Sequence, residues 1–400
     1  MISRHRSKRR KIKNESQVTS ETRRCVDEDS VPRELVFEIL LRLPSKSISR
    51  FLFVSKLWAT IIRSRYFIKT FASRTSLRQP RLLFAFVNSK YKNEQNMWNF
   101  FSSSSTPTKE SPTYLSLTRC SIPNRSSSDK YINKFPRYVN GLISVGHGEK
   151  QIICNPSTGK SITLPKVKST EKSFQSFFGY DPVDDHYKVL CMSSAESEHQ
   201  IFTLGGVDKS WRMIEYNILH IPKTNGVCIN GIVYYVASTY GNRDEWCLVR
   251  FDVRSEKFDQ LVKFLGDPSR PPMLFNNPYL MSYKGKATLV DKMEHQRFEL
   301  WILEDAEKHE WSKIRFQIKH PLIDSYSSRL LRIMDVTNHL GEIVFVFPDS
   351  RNPKDFYILC YHHEKKSLWF DKIKDKSYKN IWRFREMIPF FNYVESVMLL

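Results

Sequence analysis

VPRELVFEILLRLPSKSISRFLFVSKLWATII, residues Val31 to Ile62, carries apolar side chains at helical spacing in three bursts, with turn chemistry between them. Leu35, Ile39 and Leu43 fall at i, i+4 and i+8, with Leu40 beside them. Pro44 ends that helix, because proline has no N–H and its ring crowds the carbonyl four residues back. Ser45 or Ser47 is placed to cap a second helix whose apolar positions are Ile48, Phe51 and Leu52. A third helix follows through Val54, Trp58, Ile61 and Ile62. Three helices of about ten residues form too small a core to hide all of these side chains. The surplus is covered either by the rest of the chain, as in a helical subdomain that packs only on itself, or by a partner.

The same stretch holds an ordered string: Pro32, Glu34 and Leu35, then Glu38-Ile39-Leu40, Leu43-Pro44, Ser47, Arg50-Phe51, Val54-Ser55-Lys56, Trp58 and Ile61-Ile62. This string resembles the F-box, a helical module that docks F-box proteins onto the Skp-type adaptor of a cullin–RING ubiquitin ligase. Val31 departs from it, since the family more often has Leu there. The resemblance implies adaptor contact through Pro32, Leu35, Ile39, Leu40, Leu43 and Pro44, with Phe51 and Trp58 shared between internal packing and contact.

Bulk properties set the outer limits. The 400 residues suffice for one large or two ordinary domains, and 40% hydrophobic with 13% aromatic residues is a globular composition. No apolar run approaches the length that spans a bilayer. The first residues, MISRHRSKRRKIK, are basic with no apolar stretch behind them, unlike a secretory signal. Seven scattered cysteines without a C-x-x-C pair argue for reduced thiols in a nuclear or cytosolic protein.

The net charge of +21 is uneven. Residues 1–24 hold nine Lys and Arg against Glu15 and Glu21, while the other +14 is spread over the remaining 376 residues. Residues 1–28 read as a disordered basic arm. Lys8-Arg9-Arg10-Lys11 suits a nuclear import signal, and a solubilising arm accounts for it equally well. Nucleic-acid binding by counterion release ranks below both. The expected location is the nucleus, the cytoplasm or both.

After the helical module, assigned to residues 29–71, the polar segment ASRTSLRQP at 72–80 reads as a link. Short β-like runs then begin, with Leu82–Val87 and Met97–Phe101 able to pair as a hairpin. Residues 102–113 and 121–130 read as polar loops.

From about residue 135 the chain repeats. One series pairs a turn residue with a large apolar residue six or seven positions on: Asn155/Ile162, Gly205/Trp211, Asp252/Phe258, Asp305/Trp311 and His362/Trp369. These turns lie 50, 47, 53 and 57 residues apart. A second series of tight turns interleaves at Asn140-Gly141, Asp184-Asp185, Asn230-Gly231, Lys284-Gly285 and Leu340-Gly341. Each unit is therefore two hairpins, four strands in about 50 residues, which is the pattern of a β-propeller blade. The large residues Ile162, Trp211, Phe258, Trp311 and Trp369 are expected between blades. Five blades are visible between about 135 and 375; a sixth combines the early strands with a last one at Tyr393–Met398 and closes the ring. An irregular β-sandwich is the alternative.

This region, taken as residues 81–400, also resembles the F-box-associated domain of plant F-box proteins. The matching pieces are Asn140-Gly141-Leu142, Cys154-Asn155-Pro156, Thr158-Gly159 and Leu164-Pro165, then Phe178-Gly179-Tyr180-Asp181-Pro182 with Asp185, Tyr187, Lys188 and Val189. Asn230-Gly231 with Tyr234, and Tyr393-Val394-Glu395-Ser396, complete the set.

Signs of catalysis are few. No G-x-S-x-G or P-loop occurs. His362-His363 beside Cys360 is a poor metal pair, because adjacent strand residues point to opposite faces. Asp184-Asp185 reads as turn chemistry, with the Asp184 side chain bonding nearby backbone. Cys154, Cys191, Cys228 and Cys247 lie in apolar strands as small core residues. No cofactor and no metal is called for.

The two resemblances together imply a non-catalytic substrate receptor of an SCF-type ubiquitin ligase. Its partners would be a Skp-type adaptor, through that a cullin and a RING protein, and an unidentified substrate protein, with no membrane. A nuclear scaffold that uses the basic tail for nucleic acid is the alternative. Because a propeller closes on itself, the surplus at Leu35, Ile39 and Leu43 is expected to face another protein.

Overall fold

A computed structural model describes residues 31–77, 81–88, 96–103, 115–124, 136–147, 150–167, 174–193, 199–215, 220–239, 246–264, 279–292, 296–319, 332–337, 341–348, 356–373 and 384–398. Four helices come first: α1 (Arg33–Arg42), α2 (Ser45–Phe51), α3 (Lys56–Arg63) and α4 (Arg65–Leu77). The expected break between α1 and α2 at Pro44 is present, but Pro44 is itself the N-cap of α2 and no serine side chain caps that helix. Ser55 caps α3, accepting from the Trp58 N–H at 3.2 Å. The expected count of three helices and the expected link at 72–80 are both corrected by α4, which runs helical through Leu77. Its polar surface made it read as a loop, yet Phe67 and Phe71, four residues apart, are buried with Val36, Leu40, Leu41, Ile48, Ile61 and Ile62.

Six antiparallel sheets follow. The first blade contains β1 (Arg81–Asn88), β2 (Asn96–Ser103) and β3 (Leu115–Asn124). The second is β4 (Arg137–Val139), β5 (Leu142–His147), β6 (Lys150–Asn155) and β7 (Lys160–Thr163); the third is β8 (Phe174–Asp181), β9 (His186–Ser193), β10 (His199–Leu204) and β11 (Arg212–Met213). The fourth splits both its outer positions, giving β12 (His220–Pro222) and β13 (Val227–Ile229) on one side of β14 (Ile232–Thr239), and β16 (Lys257–Phe258) and β17 (Val262–Lys263) beyond β15 (Trp246–Asp252). The fifth is β18 (Tyr279–Tyr283), β19 (Lys286–Lys292), β20 (Arg297–Asp305) and β21 (Glu310–Gln317). The sixth is β22 (Arg332–Thr337), β23 (Glu342–Pro348), β24 (Phe356–His362) and β25 (Ser367–Ile373).

The last strand, β26 (Phe384–Tyr393), returns to the first blade and pairs with β1, setting Leu83 opposite Phe390 and Ala85 opposite Ile388. The ring is closed by this pairing, which removes an open sheet edge. Closure through the C-terminal segment was expected, but the strand expected at Tyr393–Met398 ends where that range begins. Likewise β3 extends through residues 121–124, where the polar composition predicts a loop.

Each pair of neighbouring blades shares one apolar cluster. Leu83, Ala85 and Trp98 meet Ile143 and Val145 between blades one and two. Leu142 and Ile153 meet Phe178 and Val189, and Phe177 and Leu190 meet Tyr235 and Val249, at the next two seams. Val236 and Leu248 meet Leu289 and Trp301, and Phe298 and Leu300 meet Phe345 and Leu359. Val344 and Ile358 meet Phe84 and Phe86 to complete the circle. Strand β1 shows why alternation matters here: Leu83 and Ala85 serve one seam, Leu82, Phe84 and Phe86 the other. Six seams in a ring exclude the sandwich.

Both turn series fall between strands, with Leu340 of the last pair outside the described residues. Asn140-Gly141, Asn230-Gly231 and Lys284-Gly285 have positive φ at both residues, the geometry of a two-residue hairpin turn. Polar links cross the seams as well. The Tyr187 hydroxyl donates to the Asn140 carbonyl at 2.6 Å, and Lys188 donates to the Val253 carbonyl and to Glu256, at 2.8 and 2.7 Å.

Candidate adaptor-docking surface

Helix α1 divides its apolar residues between two directions. Val36 and Leu40, four apart, are buried in the four-helix core, whereas Leu35 and Ile39, also four apart, are 55% and 45% exposed. Pro32 and Pro44 are exposed, and Leu43, Phe51 and Trp58 are half-buried against the core. Phe51 and Trp58 stack with ring centroids 4.9 Å apart, which holds α2 against α3.

One expected contact residue is therefore corrected. Leu40 is 0% exposed and belongs to the helical core, so it supports the surface from beneath and does not present itself to a partner. Leu43 is likewise partly consumed by internal packing. In their place the structure offers Val31, Phe53 and Leu57, which helical spacing did not select, and Val54, which was expected in the third helix but lies before α3. Phe53 is 88% exposed and lies with Val54 between α2 and α3, outside any helix. Two adjacent large apolar residues in a turn are costly to expose, and that placement was the available signal. Tyr66 is exposed too, stacked on Phe37 at 5.4 Å.

The seam residues divide by spacing. Trp211, Phe258 and Trp311, six positions after their turns, pack toward the preceding blade, while Ile162 and Trp369, seven positions after, pack toward the following one. A difference of one residue turns a strand side chain to the opposite face. The Trp211 and Trp311 indoles also donate across their seams, to the Pro165 and Lys263 carbonyls at 2.7 and 3.0 Å.

Other candidates resolve into structural roles. His362 accepts the Lys365 N–H at 3.2 Å through Nδ1, and His363 packs beside Phe316 and Tyr361. Among the described residues no three His, Cys, Asp or Glu side chains lie together as a metal site. In the β8–β9 turn it is Asp181, and not Asp184, whose carboxylate accepts backbone N–H groups, those of Val183 and Asp184. Cys154, Cys191, Cys247 and Cys360 are buried, and burial pushes the Cys191, Cys228 and Cys360 thiols up, away from reactive thiolate. Lys8, Arg9, Arg10 and Lys11 lie outside the described residues.

The helical unit and the ring each match a known family. Residues 29–70 match the F-box domain, and residues 81–394 match the F-box associated beta propeller domain. The chain is an F-box protein of the F-box-associated propeller family. Among its relatives, the putative F-box protein At1g31000 of Arabidopsis thaliana is 42% identical over the whole of both chains. The F-box protein At4g11590 of the same plant is 40% identical, with 93% of each chain covered. The F-box is thus the module carrying the exposed row Leu35 and Ile39, and membership of its family implies binding to a Skp-type adaptor.

Proposed function

We propose that this F-box protein is the substrate-receptor subunit of an SCF-type ubiquitin ligase. The observation that carries the reading is the exposed apolar row on α1, Leu35 and Ile39, within a segment matched to the F-box domain. Apolar side chains of this size, exposed together beside Pro32 and Pro44, gain about 1.5–3 kcal/mol each on full burial. The propeller would hold the substrate protein. Helix α4 meets it at the β8–β9 turn, which assigns substrate binding in this reading to the opposite ends of the strands.

The mechanism is proximity. Docked through the adaptor to a cullin and its RING protein, the receptor raises the effective concentration of a substrate lysine at the charged conjugating enzyme and contributes no reacting group of its own. Nuclear entry directed by Lys8-Arg9-Arg10-Lys11 belongs to the same proposal. It predicts loss of nuclear accumulation when these four residues are replaced by Ala.

Affinity capture of the tagged full chain from plant cells under proteasome inhibition, followed by mass spectrometry, tests the reading. Adaptor and cullin should be recovered together with ubiquitylated proteins. Capture that repeatedly yields neither adaptor nor cullin rejects it.

A further inference from the structure

The residues after the closing strand, 394–398, form no regular element, yet they are held along their whole length. The Val394 N–H donates to the Tyr138 hydroxyl at 2.8 Å, and the Glu395 carbonyl lies 3.3 Å from the hydroxyl of the α4 residue Thr75, which it shares with the Phe71 and Ala72 carbonyls at 2.9 Å. The Ser396 N–H donates to the Ser157 hydroxyl at 3.1 Å, and Asn155 donates from Nδ2 to the carbonyls of both Ser396 and Met398 at 2.9 Å. Between those carbonyls, Val397 turns the other way and is buried, 1% exposed, among the helices of the F-box.

We propose that residues 394–398 are a strap that locks the F-box onto the second blade, making docking surface and propeller one rigid body, with Asn155 and Val397 as its positioning residues. The repeat supplies an internal comparison. Asp252 and Asp305 stand at the same turn in blades four and five, and each accepts two backbone N–H groups through Oδ1. Asn155 does the same with its own Oδ1, toward Ser157 and Thr158. The turn therefore needs only an acceptor. The amide nitrogen of Asn155 is surplus to the turn and is spent on the strap.

The adjoining turn is also shaped to receive it. A Cβ on Gly141 would lie 2.6 Å from the Ser396 Cβ, whereas at Gly285, in the equivalent turn of blade five, nothing lies within 4 Å. At Gly231 and Gly341, in the same turn of blades four and six, the nearest atoms are side-chain carbons of Pro182 and Lys284 at 3.1 and 3.0 Å, so the 2.6 Å approach in blade two is the tightest of the four and the one made by the strap. A second link exists where Arg65 and Lys69 of α4 reach Asp185, at 3.0 and 3.8 Å. Its cations are solvent-exposed and screened by salt, so the buried strap carries the coupling.

On the receptor reading above, the strap sets how far the held substrate stands from the conjugating enzyme. That consequence rests on the receptor reading; the strap does not. Two variants of the full chain test it. Asn155→Asp keeps the turn acceptor and turns a carboxylate toward two carbonyls; Val397→Asp places a charge in the helical core. Spin labels attached at the exposed positions Lys46 and Val207, through introduced azide-bearing residues, report F-box against propeller.

The unaltered chain should give one narrow distance distribution. Both variants should lose it, with amide exchange accelerating in α1 and α4 while the blades stay protected. Distributions as narrow as the parent's in both variants overturn the strap. Should Asn155→Asp also unprotect β4–β7, Val397→Asp decides alone, because its side chain lies in the F-box core. Titration with purified adaptor separates the two claims. An unaltered chain that binds no adaptor refutes the receptor reading and leaves the strap standing.

Discussion

Leu40→Ala and Leu35→Ala remove the same atoms from one helix and should have opposite consequences. Leu40 is 0% exposed and packs in the cluster of Val36, Ile61, Ile62 and Phe67. Truncating a leucine in such a site costs about 2–5 kcal/mol, transfer term and residual cavity together. Against a total stability of about 5–15 kcal/mol that is a large fraction, and larger still for a four-helix unit. Leu35 is 55% exposed, and its truncation should stay within about 0.5 kcal/mol. The gap of at least about 1.5 kcal/mol corresponds to at least about a tenfold difference in the opening equilibrium. Native-state hydrogen exchange on the full chain reads it directly in the amides of α1 and α4. Equal protection losses in the two variants would refute the assignment of Leu40 to the core and Leu35 to the surface.

Further outcomes follow from the seams. Trp311→Ala removes the tilted ring contact with Phe264, centroids 5.0 Å apart, and the bond to the Lys263 carbonyl, so denaturant unfolding should show a loss of about 2–4 kcal/mol. A change under about 0.5 kcal/mol would mean that this indole is not a seam residue. For Glu256, burial alone would raise the carboxyl pKa, but hydrogen bonds from Arg212 and Lys188 outweigh it and hold the group below its ordinary 4.5. A depressed folded value means stability present above 4.5 and lost as pH falls through the folded pKa. Glu256→Gln should therefore flatten the acid limb of the stability–pH curve there, and an unchanged limb contradicts the pairing.

The blades were legible because their turns are. Asn140-Gly141, Asn230-Gly231 and Lys284-Gly285 need positive φ, which few residues accept, so the turn marks its own position in the chain. What counting missed was side. Ile162 and Trp369 sit one residue later than Trp211, Phe258 and Trp311, and with a period of two that step reverses the blade they face. In α1, spacing found the helix but not which of two adjacent apolar rows it buries. Leu35–Ile39 and Val36–Leu40 are each four apart, and only the packing of α3 and α4 decides between them. The C-terminal end of α4 has the composition of a link because the buried phenylalanines of that helix are few among polar residues. The strap was invisible for another reason. Its partners Asn155, Ser157 and Thr75 lie more than two hundred residues away, and no local pattern encodes such contacts.

The most direct test of the central claim is a calorimetric titration of a purified Skp-type adaptor into the full chain, beside the Leu35→Ser/Ile39→Ser variant. Saturable one-to-one binding by the parent, weakened at least about 30-fold in the variant at unchanged stability, is the predicted result. Absence of binding by the parent, or equal affinity in the two, would contradict adaptor docking through the exposed face of α1.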